Sequence, residues 1–414
     1  MGRILRKTLI SVGLFCALLA YGFVYEWIVG YWGYTRLASE RNEYVSENKD
    51  KTIHMAIVWA SDEDPAFVDG ANLAVAEINK TGGVKTINSK GETVSSNVVL
   101  HRYSDVTWQE GERAASAIAD DKRISAVIGH THSSRAIPAA NTYEYSGILF
   151  FSTAATQASL TNHRFKYVFS LGPTDEQYFD PMLAYAAKHG LRRLAILYDR
   201  NSTGANFYNK LTARLDKDIR VVYHKSLSTD PNELAEALYY AIHSKPDIIA
   251  VGVRYDKDVR ILINKLRAMG YGKVVFGGKP FDDPGLPAAL GSRGDEVFVA
   301  SMIKADAMAQ ISHEAADATA AQRFTDNVVS FQRLYEKQYG ESPGFFAYQG
   351  YFSVYLYKAA CEEAQTCVPL SVASALKFNQ KDGILGVKFD EYNRRSDIRM
   401  YLKKISNGEF VDVE

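Results

Sequence analysis

The sequence predicts an α/β protein built on parallel sheets, and three observations carry that prediction. Short apolar runs bounded by small and polar residues recur through the 414 residues, the pattern of strands buried on both faces. Between successive runs lie stretches with apolar residues at helical spacing, so strands and helices alternate as in βαβ units. Residues 124–161 show both features together: an apolar run at 124–128, a helical stretch at 134–145 and a second apolar run at 148–151. A chain of this length outgrows a single core, so two lobes are expected.

In chain order, residues 1–7 are basic through Arg3, Arg6 and Lys7, and residues 8–25 carry no formal charge. That is the pattern of export, and the uncharged run is long enough to span a bilayer. Trp27, Tyr31, Trp32 and Tyr34 then resemble an interfacial belt, and no Ala-x-Ala cleavage site precedes them. Phe15 is too large for the residue before a lipidated cysteine at Cys16. Residues 1–34 are therefore expected to be a signal anchor in preference to a cleaved signal peptide, with the charged stretch 35–51 as a linker or a solvated helix extending from the membrane.

The first lobe opens with a strand at 53–60 and a helix at 64–80, whose apolar face is Phe67, Ala71, Leu73, Ala74, Ala76 and Ile78. Gly82 and Gly83 end that helix. A strand at 98–103 and a helix at 108–120 precede the central unit, and a strand at 167–171 follows it. Gly172-Pro173 marks a change of lobe. The second set alternates helices at 175–189, 206–215, 231–244 and 257–269 with strands at 193–197, 220–224, 248–253, 273–276 and 295–300. Residues 305–322 read as an Ala- and Asp-rich insertion or surface helix. Helices at 324–339, 346–364 and 368–378 come next, then strands at 386–390 and 397–405.

Composition and motifs exclude several functions. With 48 basic and 48 acidic residues the formal charge is zero, so no footprint for nucleic acid exists. There is no Gly-x-Gly-x-x-Gly after the first strand, no Walker A sequence and no Gly-x-Ser-x-Gly elbow. His130 and His132 lack a third ligand nearby, so no metal is expected. Asp62, Glu63 and Asp64 read as solvated charges near a helix start. No catalytic residue and no cofactor are expected. Of the cysteines Cys16, Cys361 and Cys367, the last two are close enough in sequence for a local disulfide after export.

What remains is a pair of donor-rich turns at strand ends, 129–134 and 152–156. In open parallel sheets, ligands bind beyond the carboxyl ends of the strands. Hydroxyls, free backbone N–H groups and a helix N-terminus there make a pocket for a small anion. Helix capping competes as the role of Ser133, but it explains less well the small residues Ser152-Thr153-Ala154-Ala155-Thr156.

The same stretch resembles the branched-chain amino-acid binding family of periplasmic proteins that feed ABC transporters. The resemblance rests on Ile128-Gly129-His130 with Ser133-Ser134, Pro138-Ala139, Gly147-Ile148-Leu149, Ser152-x-Ala154-Ala155-Thr156 and Leu160-Thr161. Gly70-Ala71, the run 74–79, Gly82-Gly83, Tyr198-Asp199 and Gly204 extend it, so that it covers the chain from about Ile53 onward. It implies a type I periplasmic-binding fold: two Rossmann-like lobes joined by a three-stranded hinge, with crossings near 172–173, 300–304 and 386–389. On that basis lobe 1 would be 52–172 plus 304–386, and lobe 2 would be 173–303 plus 387–414.

The resemblance also implies ligand-binding roles. Ser133, with Ser134 beside it, stands where a hydroxyl and a helix N-terminus hold the ligand carboxylate. Ala154 and Thr156 stand where a carbonyl and a hydroxyl or N–H meet carboxylate and ammonium. From the second lobe, Thr203 and the pair Arg254 and Tyr255 occupy positions where the family often has aromatics. The departure is Lys279, in Gly277-Gly278-Lys279-Pro280, where an acid for the ligand ammonium is expected. Four explanations are open: Asp282 or Asp283 compensates, Lys279 points outward, the loop is realigned by a few residues, or the ligand carries extra negative charge.

The expected function is capture of a small carboxylate-bearing ligand, an amino acid or organic acid, for an ABC permease, without catalysis. The expected location is extracytoplasmic, tethered to the membrane by the N-terminal segment. The alternatives are a membrane-anchored sensor with a kinase or receptor partner, and an α/β enzyme on a small acid.

Overall fold

The computed structural model describes residues 36–47, 52–60, 65–302, 304–305, 331–379 and 383–413. The export segment with Cys16, the acids at 62–64 and the stretch 306–330 lie outside the described residues. In the first body, helix α1 (36–47) precedes β1 (Ile53–Val58), α2 (Ala66–Lys80) and the hairpin β2 (Val84–Ile87) and β3 (Thr93–Ser96). Next come β4 (Val98–Tyr103), α3 (Trp108–Asp120), β5 (Ile124–Gly129), α4 (Ser133–Ser146), β6 (Leu149–Ser152) and β7 (Val168–Ser170). The main strands pair in parallel in the order β4-β1-β5-β6-β7.

The second body alternates α5 (Asp175–Lys188), β8 (Arg193–Asp199), α6 (Ser202–Ala213), β9 (Arg220–Leu227), α7 (Pro231–His243), β10 (Ile248–Gly252), α8 (Asp256–Ala268) and β11 (Val274–Gly277). After α9 (Leu286–Leu290) and β12 (Val297–Ser301), helices α10 (331–339), α11 (Phe345–Glu363) and α12 (Pro369–Phe378) are followed by β13 (Tyr401–Ser406) and β14 (Glu409–Asp412). The sheet order is β14-β13-β12-β11-β10-β8-β9, with the last hairpin antiparallel on an otherwise parallel sheet.

Alternation along β1 shows how the first sheet buries both faces. Met55, Ile57 and Trp59 join Phe67, Ala71 and the apolar face of α11, whereas Ala56 and Val58 join Ala115, Ala136 and Tyr143 of α3 and α4. The second sheet is covered on both sides in the same way. The chain passes between the two sheets after β7, after β12 and between α12 and β13. At the third passage Asn393–Arg395 runs beside the end of β7, exchanging backbone hydrogen bonds of 2.9 Å with Ser170.

Three expectations are corrected, and one feature is new. The stretch 35–51, expected as a linker or a solvated helix, includes a helix that is docked and not solvated: Arg41 is only 2% exposed and donates to the carbonyls of Ala119, Asp121, Ile124 and Ser146. An arginine whose charge meets two helix C-termini behaves as a core residue. No disulfide joins Cys361 and Cys367, which are free, buried thiols. Burial, and then the neighbouring Cys367 in hydrogen-bond contact, push the Cys361 thiol well above its ordinary range, and a thiol held protonated is a poor partner for exchange. Residues 386–390 form only isolated bridges, and the C-terminal pairing is the hairpin β13–β14. The hairpin β2–β3 was not expected at all.

Among the described residues, no helix is long and apolar enough to cross a membrane.

Candidate functional site

The carboxyl ends of both sheets converge on one place. From the first body come the turns after β5 and β6. From the second come Thr203 at the start of α6, Arg254 after β10 and Lys279 after β11. The contact that joins them is Lys279 Nζ donating to the carbonyl of Ala154 at 3.0 Å, with the ammonium also 4.6 Å above the Phe346 ring.

Ser133 is the first residue of α4, not its cap; the N-cap is His132, whose side chain makes no capping bond. The Ser133 hydroxyl instead accepts the backbone N–H groups of Thr156 at 3.2 Å and Gln157 at 3.4 Å. It therefore ties the β6 turn to the start of α4, and the two turns singled out in the sequence form one surface. Ser134, one residue on, is exposed. The hydroxyls of Ser152 and Thr153 are buried and find no hydrogen-bond partner among the described residues.

The turn after β5 is held from beneath by a residue that sequence reasoning missed. Asp105, 0% exposed, accepts from the Thr131 N–H at 3.0 Å and meets His130 Nδ1 at 3.1 Å. Burial alone would raise the Asp105 carboxyl, but the bonds from His130 and Thr131 hold it below its ordinary value. His130 Nε2 reaches Tyr143 Oη at 2.9 Å, so this histidine is fully committed to the fold. An aspartate just past a strand looks like a turn residue, and nothing in its surroundings in the sequence marked it as buried. Gly129, at φ +127°, could not be replaced, because a Cβ would lie 2.1 Å from the Val58 carbonyl oxygen.

In the second body, Arg254 Nη2 donates to Thr203 Oγ1 at 3.0 Å and its backbone N–H to Asp199 Oδ2 at 2.9 Å. Its Nε is buried with no partner among the described residues. Tyr255 is the N-cap of α8, with Lys257 5.2 Å from its ring centre, so its ring faces its own helix. Asp175 was also missed: it accepts from Asn206 Nδ2 at 2.6 Å, and its backbone N–H donates to the Thr156 carbonyl at 3.1 Å. Burial raises its carboxyl above the ordinary range against the hydrogen bonds of Thr156 and Asn206.

Two explanations for Lys279 fall away. Asp282 is committed to Lys403 Nζ at 2.5 Å and Ser301 Oγ at 2.6 Å, and Asp283 to Arg260. Lys279 itself points across to the first body, not outward. The field at this place is positive, as His132 reports: burial first, then Arg254, Lys279 and Arg135, push its imidazole down to about 3. Among the described residues, no group of His, Cys, Asp and Glu is arranged to hold a metal.

A protein related to this chain is the Leu/Ile/Val/Thr-binding protein of Salmonella typhimurium, 29% identical over 184 residues that make up 37% of this chain and 48% of the relative. The chain spans about half the length of the curated relatives it matches. An ABC transporter substrate-binding protein from Desulfitobacterium hafniense in complex with Leu shares the fold, with TM-score 0.69 at 24% identity over 88% of this chain and all of that one. An ABC-transporter solute-binding protein of R. palustris in complex with benzoate does so at TM-score 0.69 and 18% identity, over 87% of this chain and 95% of that one. These relatives and neighbours are solute-binding proteins and not enzymes. The description Periplasmic binding protein matches residues 59–409, and with the two-sheet architecture this places the chain in the periplasmic binding protein family.

Proposed function

We propose that this chain is an extracytoplasmic solute-binding protein that captures a small carboxylate-bearing ligand between its two lobes and delivers it to an ABC permease. The observation that carries the reading is the 3.0 Å bond from Lys279 to the Ala154 carbonyl, which brings the carboxyl ends of both sheets to one place. Ligands in open α/β sheets bind at such strand ends. The lobes divide as 52–172 plus 304–386 and 173–303 plus 387–414, and closure about the three crossings gains contacts with ligand that the open form lacks. Ser133, Thr156 and the carbonyl of Ala154 form the first-lobe wall; Thr203, Arg254 and Lys279 form the second-lobe wall. Ser134 and Tyr255 stand at its margins.

Similar proteins hold leucine in one case and benzoate in another, so the fold takes carboxylates with and without an ammonium group. The docked helix α1 favours a second reading, in which occupancy is passed to a membrane-bound sensor, because it packs on the first lobe through Arg41 directly after the residues expected to form the anchor. Thermal unfolding of the full chain against amino acids and organic acids tests the capture itself. A ligand at about 100 times its Kd adds about 2.7 kcal/mol of stability and raises the melting point by several degrees. No shift with any ligand, and no heat of binding by calorimetry, would overturn the reading.

A further inference from the structure

We propose that the ligand is a small dianion without an ammonium group, a dicarboxylate or similar doubly charged organic acid, clasped by Lys279 and Arg254 from the second lobe against Ser133 and Thr156 of the first. The inference rests on the solute-binding reading above and sharpens its ligand class.

The carbonyl of Ala154 is the acceptor that a ligand ammonium would need on the first lobe, and the Lys279 ammonium occupies it at 3.0 Å. A second ammonium brought there would face Lys279 and Arg254 together. Like charges repel strongly in a site with little water. Among the described residues, the acids nearest in sequence or contact to this place are already engaged. Asp282 is held by Lys403 and Ser301, Asp283 by Arg260 and Asp105 by His130 and Thr131. Asp199 accepts the Arg254 N–H, and Asp175 is held by Asn206.

The donors, by contrast, have capacity left. Arg254 Nε is buried and unpartnered among the described residues, as are the hydroxyls of Ser152 and Thr153, the latter only 2% exposed. Arg135, 9% exposed, has an unpartnered Nη1 in the same electrostatic neighbourhood, close enough to act on His132. A guanidinium with a free Nε edge suits a carboxylate by its fork of donors. A carboxylate at the α4 N-terminus and a second one at the Lys279–Arg254 wall would compensate these cations, of which Arg135 is buried and Arg254 and Lys279 partly buried, and which otherwise carry a desolvation cost.

The test is calorimetric titration of the full chain with succinate, glutarate and 2-oxoglutarate, and separately with leucine, isoleucine and valine. Dicarboxylates are expected to bind at least about tenfold more tightly than any of the three amino acids. Lys279→Met and Arg254→Met should each weaken dicarboxylate binding by about a hundredfold, the scale for removing one partner of a buried charge pair, with a melting curve like that of the parent. Tight binding of leucine with none of the dicarboxylates overturns this inference and leaves the solute-binding reading intact. Dicarboxylate binding that Lys279→Met and Arg254→Met leave unchanged also overturns it. Silence to both sets overturns the inference, and extended silence across the wider acid and amino-acid panel overturns the reading beneath it.

Discussion

Ser133 does two things with one hydroxyl. It accepts the N–H groups of Thr156 and Gln157, and it stands at the positive end of α4, where an anion is favoured. Removing the hydroxyl leaves two backbone donors of the β6 turn without their acceptor and loosens that turn relative to α4. One such hydrogen bond contributes about 1 kcal/mol, or somewhat under tenfold in affinity. Ser133→Ala should therefore weaken ligand binding about fivefold to tenfold by calorimetry, with Thr156→Ala in the same range and the melting point within about 2 °C of the parent. If both variants bind like the parent, these residues do not line the site. Ser133 was legible from the sequence because hydroxyls at a strand end advertise themselves. Arg254 and Lys279 were also named, but their convergence with His132 was not, because they leave strands more than a hundred residues away from it.

Elements show where sequence reading works and where it stops. Strands buried on both faces, such as β5 and β10, are continuous apolar runs and were placed within a residue or two. The hairpin β2–β3 alternates buried with exposed residues over only four positions per strand, and β14 offers little beyond Phe410 and Val411, so neither rises above the surrounding loop. The docking of helix α1 escaped because its most buried side chain is an arginine. Arg41→Ala would take the donor from four main-chain carbonyls, those of Ile124 and Ser146 buried and those of Ala119 and Asp121 partly so, at a cost of about 3 kcal/mol, and equilibrium denaturation should show that loss. An unchanged midpoint would mean that α1 is only loosely attached. The α2–α11 interface is tighter still. A Cβ on Gly350 would lie 2.0 Å from the Phe67 carbonyl oxygen, and one on Gly70 would lie 2.0 Å from that of Ala347. In both cases the obstruction is backbone, which cannot swing aside. Gly350→Ala should destabilise the first lobe by about 3 kcal/mol, the upper range for overpacking; a parent-like denaturation curve would show that the two helices separate readily.

At the scale of the whole molecule, two sheets built from distant parts of the chain assemble one cationic surface around a histidine, and that has a consequence for pH. In the unfolded chain His132 titrates at its ordinary value of 6.5, whereas in the folded protein burial, Arg254, Lys279 and Arg135 push it to about 3, with Asp105 acting weakly the other way. Between those values the unfolded state binds a proton that the folded state refuses. Stability contributed by the neutral imidazole is then fully present above about pH 7, where neither state is protonated, and is lost as pH falls from 6.5 toward 3. His132→Gln removes this titration, so the stability of the variant should fall less steeply than the parent's between pH 7.5 and 5.5, measured by denaturant unfolding at each pH. A bound dianion acts in the opposite sense. Its charge offsets the cations around His132, raises the folded-state pKa and makes the complex take up protons more readily than the free protein. Corrected for the ligand's own protonation, affinity should fall less steeply with acid in the parent than in His132→Gln. An identical acid dependence in the two proteins would mean that the ligand does not sit in this field.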